Sequence, residues 1–344
     1  MDFKTILEAG DLEGRRVLVR VDWNVPIENG EVADDFRIKK SLPTIEYLIK
    51  AGAKIILISH HDTETETLRV VYEYVKNILP ITFCEPSDLI LLENLFMDKG
   101  EKENSRDFAV KLASQADIFV NEAFSESHRE YASVVGLPKL LPSYAGLQFN
   151  EEVKQLSSAF YPKHPFLLIL GGAKFETKFP LLDKFLNIAD SVFVGGALAN
   201  GFLEEQGVDI GSSLVPIKDF NLKEKFQSGK IILPTDTVLD GSKIVDVGPK
   251  TIENLKNKIN EAKFILWNGP LGEFERGYKN GTLELAKLIA SSNKETILGG
   301  GDTLSAIKEL GIMDKFGFVS TGGGAMLDFL ATGTLPGIEA LKKK

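Results

Sequence analysis

Leu298-Gly299-Gly300-Gly301-Asp302-Thr303 and Ser320-Thr321-Gly322-Gly323-Gly324-Ala325 share one pattern: an apolar run breaks into three glycines, and a helical pattern follows. Glycine lets a backbone approach a ligand closely and take positive φ. The helix N-terminus beyond it offers free N–H groups and a positive dipole end, which suits phosphate. Three more turns of the same half repeat the arrangement: Leu170-Gly171-Gly172-Ala173-Lys174, Val194-Gly195-Gly196-Ala197 and Trp267-Asn268-Gly269-Pro270. One such turn is only a tight turn. Repetition at successive strand ends marks a ligand surface, because ligands of open α/β sheets sit beyond the carboxyl ends of the strands. None of these turns carries the Walker lysine or the GxGxxG spacing, so neither a P-loop enzyme nor a Rossmann dehydrogenase is indicated.

Outward from these turns, short apolar runs alternate with helical patterns. The strands expected in the second half are Phe166–Leu170, Ser191–Val194, Ile231–Leu233, Phe264–Trp267, Thr296–Leu298 and Phe318–Ser320. Those of the first half are Arg16–Val21, Lys54–Ile58, Ile81–Cys84, Leu89–Leu92 and Asp117–Val120. Several are apolar throughout, as in parallel strands buried on both faces. Helical patterns between them include Ile38–Ala51, Thr67–Ile78, Asp107–Ala116 and Gly281–Ser291. The rhythm predicts an α/β chain of two doubly wound parallel-sheet domains, joined by a helix read from the stretch 146–160. We expect an acid-substrate domain over 1–147, a nucleotide-binding domain over 148–334 that includes the linker helix, and the active site in the interdomain cleft.

The chain has 344 residues, a net charge of −9 and 43% hydrophobic content. The length suits two domains at roughly 100–200 residues each. The negative charge argues against nucleic acid as a partner. Cys84 is the single cysteine, which excludes an internal disulfide and a cysteine zinc cage. The N-terminus lacks the apolar core of a secretory signal, and no run approaches the ~18 apolar residues of a membrane span. The expectation is a cytoplasmic monomer with no membrane partner.

Charged residues beside the turns narrow the chemistry. Lys174 and Lys178 stand at i, i+4 at a helix start, where cations oppose the dipole unless they serve an anion. Asp302 suits an N-cap or a magnesium ion carried on nucleotide phosphates. In the first half, Asp22, Asn24, Ser59, His60, His61, Glu93, Asn94, Asn121, Glu122, His128 and Arg129 lie just beyond strand ends, and Arg37 opens the first long helix. Such a set can hold a small phosphorylated or carboxylated acid, since guanidinium pairs with these oxyanions in bidentate fashion.

These residues resemble the phosphoglycerate kinase family. The resemblance is carried by Val17-Leu-Val-Arg-Val-Asp-Trp-Asn-Val-Pro26, Asp34-Asp-Phe-Arg37, Leu42-Pro-Thr-Ile45, Ser59-His60, Leu92-Glu-Asn94, Gly171-Gly-Ala-Lys174, Asp246-Val-Gly-Pro-Lys-Thr251, Trp267-Asn-Gly-Pro270 and the last two glycine turns. It implies reversible phosphoryl transfer between 1,3-bisphosphoglycerate and ADP with Mg2+, giving 3-phosphoglycerate and ATP. It implies that Asp22, Asn24, Arg37, His60 and Arg129 face the acid. Lys174 and Lys178 would bind nucleotide phosphates. Gly195, Gly196, Asn268, Pro270 and Glu275 would form the adenosine site, with Gly300, Gly301, Asp302 and Thr303 at the phosphates and Asp302 on the metal. Arg37, Lys174, Gly301 and Gly324 would stabilise the moving phosphoryl. The segment 335–344 would pack back on the first domain.

The chain departs from the family pattern in the acid half. Ser-His-Leu-Gly-Arg-Pro reads Ser59-His60-His61-Asp62-Thr63-Glu64, and Glu-Asn-Val-Arg-Phe reads Glu93-Asn94-Leu95-Phe96-Met97. Thr63 and Phe96 thus replace two arginines that the resemblance places on the substrate phosphate. Glu126 stands where the family has threonine. In the nucleotide half, Thr177 replaces an aspartate and Glu273 a valine. A lost charged hydrogen bond costs about 1.5–3 kcal/mol, so two further readings stay open: a kinase of another carboxylic acid, and a nucleotide-binding homologue with weak or no catalysis.

Overall fold

Val17, Leu18 and Val19 point alternately to the two faces of one strand, and both faces are buried. Val17 and Val19 pack with Ile38, Ile45 and Leu48 of the helix Phe36–Lys50 and with Val71 and Val75 of the helix Arg69–Val75. Leu18 packs on the opposite side with Phe108 and Leu112 of the helix Arg106–Ala113 and with Leu137. Helices on both faces explain why this strand lacks an apolar–polar alternation.

A computed structural model describes residues 2–218 and 220–342. The strands of the first sheet are β1 (Arg16–Arg20), β2 (Lys54–Ile58), β3 (Thr82–Phe83), β4 (Leu89–Leu91), β5 (Ile118–Asn121) and β6 (Ser143–Ala145). Those of the second are β7 (Phe166–Leu170), β8 (Ser191–Val194), β9 (Ile231–Ile232), β10 (Phe264–Asn268), β11 (Glu295–Gly299) and β12 (Phe318–Val319). The first sheet runs β3-β4-β2-β1-β5-β6 and the second β9-β8-β7-β10-β11-β12, every pair parallel. In each sheet the chain begins near the middle, winds to one edge, then returns and winds to the other. The reversal opens a crevice at the carboxyl ends of β1 and β5, and of β7 and β10.

The chain divides into two compact units, Met1–Lys154 with Thr334–Lys344, and Gln155–Gly333. The helix Leu147–Ser158 spans the division, so most of it groups with the first unit rather than the second. In the first unit, Phe3 bridges Lys342 and Thr5 bridges Ala145. Gly337, in the helix Pro336–Leu341, donates its N–H to the Ser127 carbonyl at 2.8 Å. A Cβ at Gly337 would lie 2.6 Å from Ser127 Oγ, so this docking needs glycine. Of the expected C-terminal segment, Lys343 and Lys344 lie outside the described residues. No helix among the described residues is long and apolar enough to cross a membrane.

Among the features that differ from the sequence expectations, three have a local physical reason. Asp117 precedes its strand instead of opening it, because its carboxylate accepts the Arg16 N–H at 3.0 Å and pairs with the Arg16 guanidinium at 2.7 Å. The edge strand β6 is too short for periodicity to reveal. An antiparallel hairpin, Thr237–Asp240 with Lys243–Val247, turns through Gly241-Ser242, with Gly241 at φ 61°. Gly-Ser between two short runs is a two-residue hairpin signal, and it stands outside the parallel βαβ rhythm of the rest of the unit.

Candidate functional site

At the first crevice, β1 runs on into Asp22, whose carboxylate is buried and lies 3.0 Å from the Arg37 guanidinium. Burial would raise this carboxyl, but Arg37, His60, the Ser125 hydroxyl and Arg20 together hold it below its ordinary range. Arg37 also donates to the Asn24 carbonyl at 2.9 Å, and the Asn24 amide donates to Asp62 at 2.5 Å. His60, at the end of β2, accepts from Arg20 at Nδ1 over 2.9 Å. Since guanidinium only donates, the proton of the neutral imidazole sits on Nε2. That nitrogen faces Glu126 Oε1 at 3.7 Å. Burial first, then the Arg20 charge, push His60 down to about 3. Burial and the Asp22 carboxylate push Glu126 up to about 7, against the pull of Arg20, Arg37 and Arg129.

Asp22, Asn24, Arg37 and His60 are therefore brought together. Arg129 is exposed, with its backbone N–H on the Glu126 carbonyl at 2.9 Å, and it acts on the cluster through charge. Arg20 escaped the sequence reading, although a charge inside an otherwise apolar strand was its signal. It is fully buried on the Leu18 face, donating to Ser133 Oγ at 2.9 Å and to the Val21 carbonyl at 2.6 Å. The Ser133 hydroxyl in turn donates to the buried Glu101, whose carboxyl is raised by burial.

At the second crevice, the five glycine turns meet. The Lys178 ammonium is buried and donates to the carbonyls of Gly171 and Asn268, at the ends of β7 and β10. Burial pushes it down to about 8, with Asp302 pulling it up and Lys174 pushing it down. A Cβ at Gly171 would lie 2.1 Å from the Pro270 carbonyl oxygen, and one at Gly196 2.5 Å from the Gly172 nitrogen. These turns approach as closely as backbone can, so side chains are excluded. Gly195 abuts Leu271, and Asn268 donates to Met326 Sδ at 3.8 Å. Thr303 Oγ1 accepts the Gly269 N–H at 3.0 Å. Gly300 takes φ 104° before the helix Gly301–Glu309, which carries Asp302 in its first turn. A Cβ at Gly301 would meet open space, and Gly324 opens the helix Gly324–Thr332. Lys174 is exposed as the residue preceding the helix Phe175–Phe185. Glu275 is exposed in the short turn Phe274–Arg276.

The family model of phosphoglycerate kinase matches residues 7–333. The chain belongs to the phosphoglycerate kinase family. It is accordingly a transferase of the kinase class. It is 38% identical to the phosphoglycerate kinase of Leptospira biflexa and 39% identical to that of Thermosipho africanus; the alignments cover 98% and 97% of this chain, and 98% and 96% of those proteins. Among solved structures, the phosphoglycerate kinase of Coxiella burnetii superposes with a TM-score of 0.86 at 33% identity, over 98% of both chains. That of Pyrococcus horikoshii OT3 gives 0.86 at 29% identity, also over 98% of both.

Against this family, position 96 is filled by a ring. Phe96 is buried with its centroid 4.5 Å from that of His60 and 5.6 Å from that of Tyr131. Thr63 is exposed on the loop after β2, where its hydroxyl accepts the Glu66 N–H at 3.2 Å. In the second unit, Glu273 pairs with Lys243 and Arg276, and the Thr177 hydroxyl donates to the Lys174 carbonyl at 3.1 Å.

Proposed function

We propose that this kinase transfers a phosphoryl group reversibly between 1,3-bisphosphoglycerate and ADP, giving 3-phosphoglycerate and ATP. The observation that carries the reading is the pairing of two doubly wound sheets in one chain, one ending in the Asp22–Arg37–His60 cluster and the other in five converging glycine turns. Asp22, Asn24, Arg37, His60 and Arg129 hold the acid. Gly195, Gly196, Asn268, Pro270 and Glu275 hold the adenosine, and Lys174, Lys178, Gly300, Gly301 and Thr303 hold the phosphates. Phosphoryl transfer asks mainly for positioning and for positive charge around the equatorial oxygens. Arg37, Lys174 and the backbone N–H groups at Gly301 and Gly324 supply it.

The described residues contain no group of three or more carboxylate, histidine or cysteine ligands for a metal ion. A lone Asp302 at a helix start fits magnesium that arrives on nucleotide phosphates, since this ion takes one or two carboxylates and keeps water and phosphate oxygens. When bound, magnesium neutralises phosphate charge.

A coupled assay with 3-phosphoglycerate and MgATP tests the proposal, and absence of turnover at millimolar substrate counts against it. If MgADP still binds by calorimetry in that case, the chain is a nucleotide-binding member without this acceptor. Arg37→Ala is expected to lower kcat/KM by on the order of a hundredfold or more, as losing a charge-assisted contact to the transition state does. Unchanged activity in that variant would remove Arg37 from the mechanism.

A further inference from the structure

The acid site has a ring at position 96 and an exposed threonine at position 63, so its distal anion has no guanidinium at either place. Over the Phe96 ring stands Lys102, the last residue of the helix Lys99–Lys102, with Nζ 4.3 Å from the ring centroid. The other neighbours of that ring include His60, a member of the acid cluster. Lys102 is 38% exposed, and its charge is held by Glu64 Oε1 at 3.1 Å. Glu64 belongs to the loop after β2, and the neighbouring acids of that loop behave alike. Asp62 accepts from the Asn24 amide at 2.5 Å, and Glu66 lies 2.5 Å from His61 Nδ1. Three carboxylates of one loop thus sit on three polar groups, Asn24, His61 and Lys102, and the Phe96 ring under Lys102 also touches His60.

We propose that Lys102 is the cation that receives the distal anionic group of the acid substrate, and that Glu64 occupies it until the substrate arrives. The proposal rests on the phosphoglycerate reading above. The physical case is an exchange of anions. An exposed ion pair contributes little, about 0–1 kcal/mol, because water screens it. A phosphate brings more negative charge and three acceptor oxygens to the same ammonium. Stacking on Phe96 holds the lysine stem in place, so less side-chain freedom is lost on binding. The aromatic residue at position 96 therefore acts as a platform for a cation from another helix.

The test measures 3-phosphoglycerate binding by calorimetry and its KM by the coupled assay, with the KM of MgATP as internal control. Lys102→Gln should weaken 3-phosphoglycerate about ten- to hundredfold and leave the KM of MgATP unchanged. Lys102→Arg should restore most of the loss. Glu64→Gln should act in the opposite direction, tightening 3-phosphoglycerate about two- to fivefold by removing the competing anion. Lys102→Gln within twofold of the unaltered chain overturns the proposal, as does Glu64→Gln weakening binding as Lys102→Gln does, since the pair would then be structural. Failure of the unaltered chain to bind 3-phosphoglycerate also overturns it. Binding that depends on Lys102 without turnover would instead leave this proposal standing and remove the kinase reaction assigned above.

Discussion

Glu126 places a carboxyl against His60 in the cluster proposed to hold the acid, and on that proposal its protonation sets how much negative charge the substrate meets. Burial and the Asp22 carboxylate push it up to about 7, while His60, pushed down to about 3, is neutral across that range. Below about 7 the Glu126 side chain is a neutral donor, and above it the side chain is an anion facing an anionic ligand. The KM for 3-phosphoglycerate is therefore expected to rise as pH increases through neutrality, with the KM of MgATP following a different profile. Glu126→Thr, which installs the residue type of the family pattern, should flatten that rise and lower the KM at alkaline pH. An unchanged slope in steady-state pH profiles would show that Glu126 does not face the ligand. Lys178 presents the converse case, since its ammonium sits among carbonyls at the β7–β10 crevice and is pushed down to about 8.

The helix Leu147–Ser158 begins with three backbone N–H groups served from distant segments. Leu147 donates to Thr44 Oγ1 at 2.8 Å, and Gln148 and Phe149 donate to Glu122 at 3.1 and 3.0 Å. A carboxylate at a helix N-terminus satisfies orphan donors and favours the dipole. Burial nonetheless dominates here and pushes the Glu122 carboxyl from 4.5 to about 7. A folded-state value above the unfolded one means that the folded chain binds more protons between the two. The stability from this group is complete below the unfolded value and is lost as pH rises through the folded one. The urea midpoint of the first unit should accordingly fall between about pH 5 and about pH 8. Glu122→Gln keeps an acceptor for the helix and should make that midpoint less sensitive to pH. A variant with the same slope as the unaltered chain would assign the dependence elsewhere.

At the scale of the molecule, each unit has its own six-stranded sheet and its own strand-end site. Two cores of this kind should unfold as two calorimetric transitions. MgADP is expected to raise the transition of the second unit, by about 2.7 kcal/mol at a ligand concentration ~100 times Kd, and 3-phosphoglycerate the transition of the first. A single transition moved equally by either ligand would show that the units unfold together.

What the sequence determined by itself was local. Five glycine turns, the apolar runs before them and the motif order were enough for the two sheets and the kinase family, and they named candidate residues at both strand-end crevices but not Arg20, because turn chemistry and strand burial leave their marks within a few neighbouring positions. Tertiary structure decided the partners. Arg20 meets His60 across two strands, Glu122 reaches Thr44 across 78 positions, and Lys102 stands over Phe96 with Glu64 on its charge. Such pairs depend on how sheet and helices bring remote segments into contact, and no spacing along the chain records it. The charged groups buried there had to find partners or shift their protonation, since desolvation of an unpaired ion is too costly to leave uncompensated.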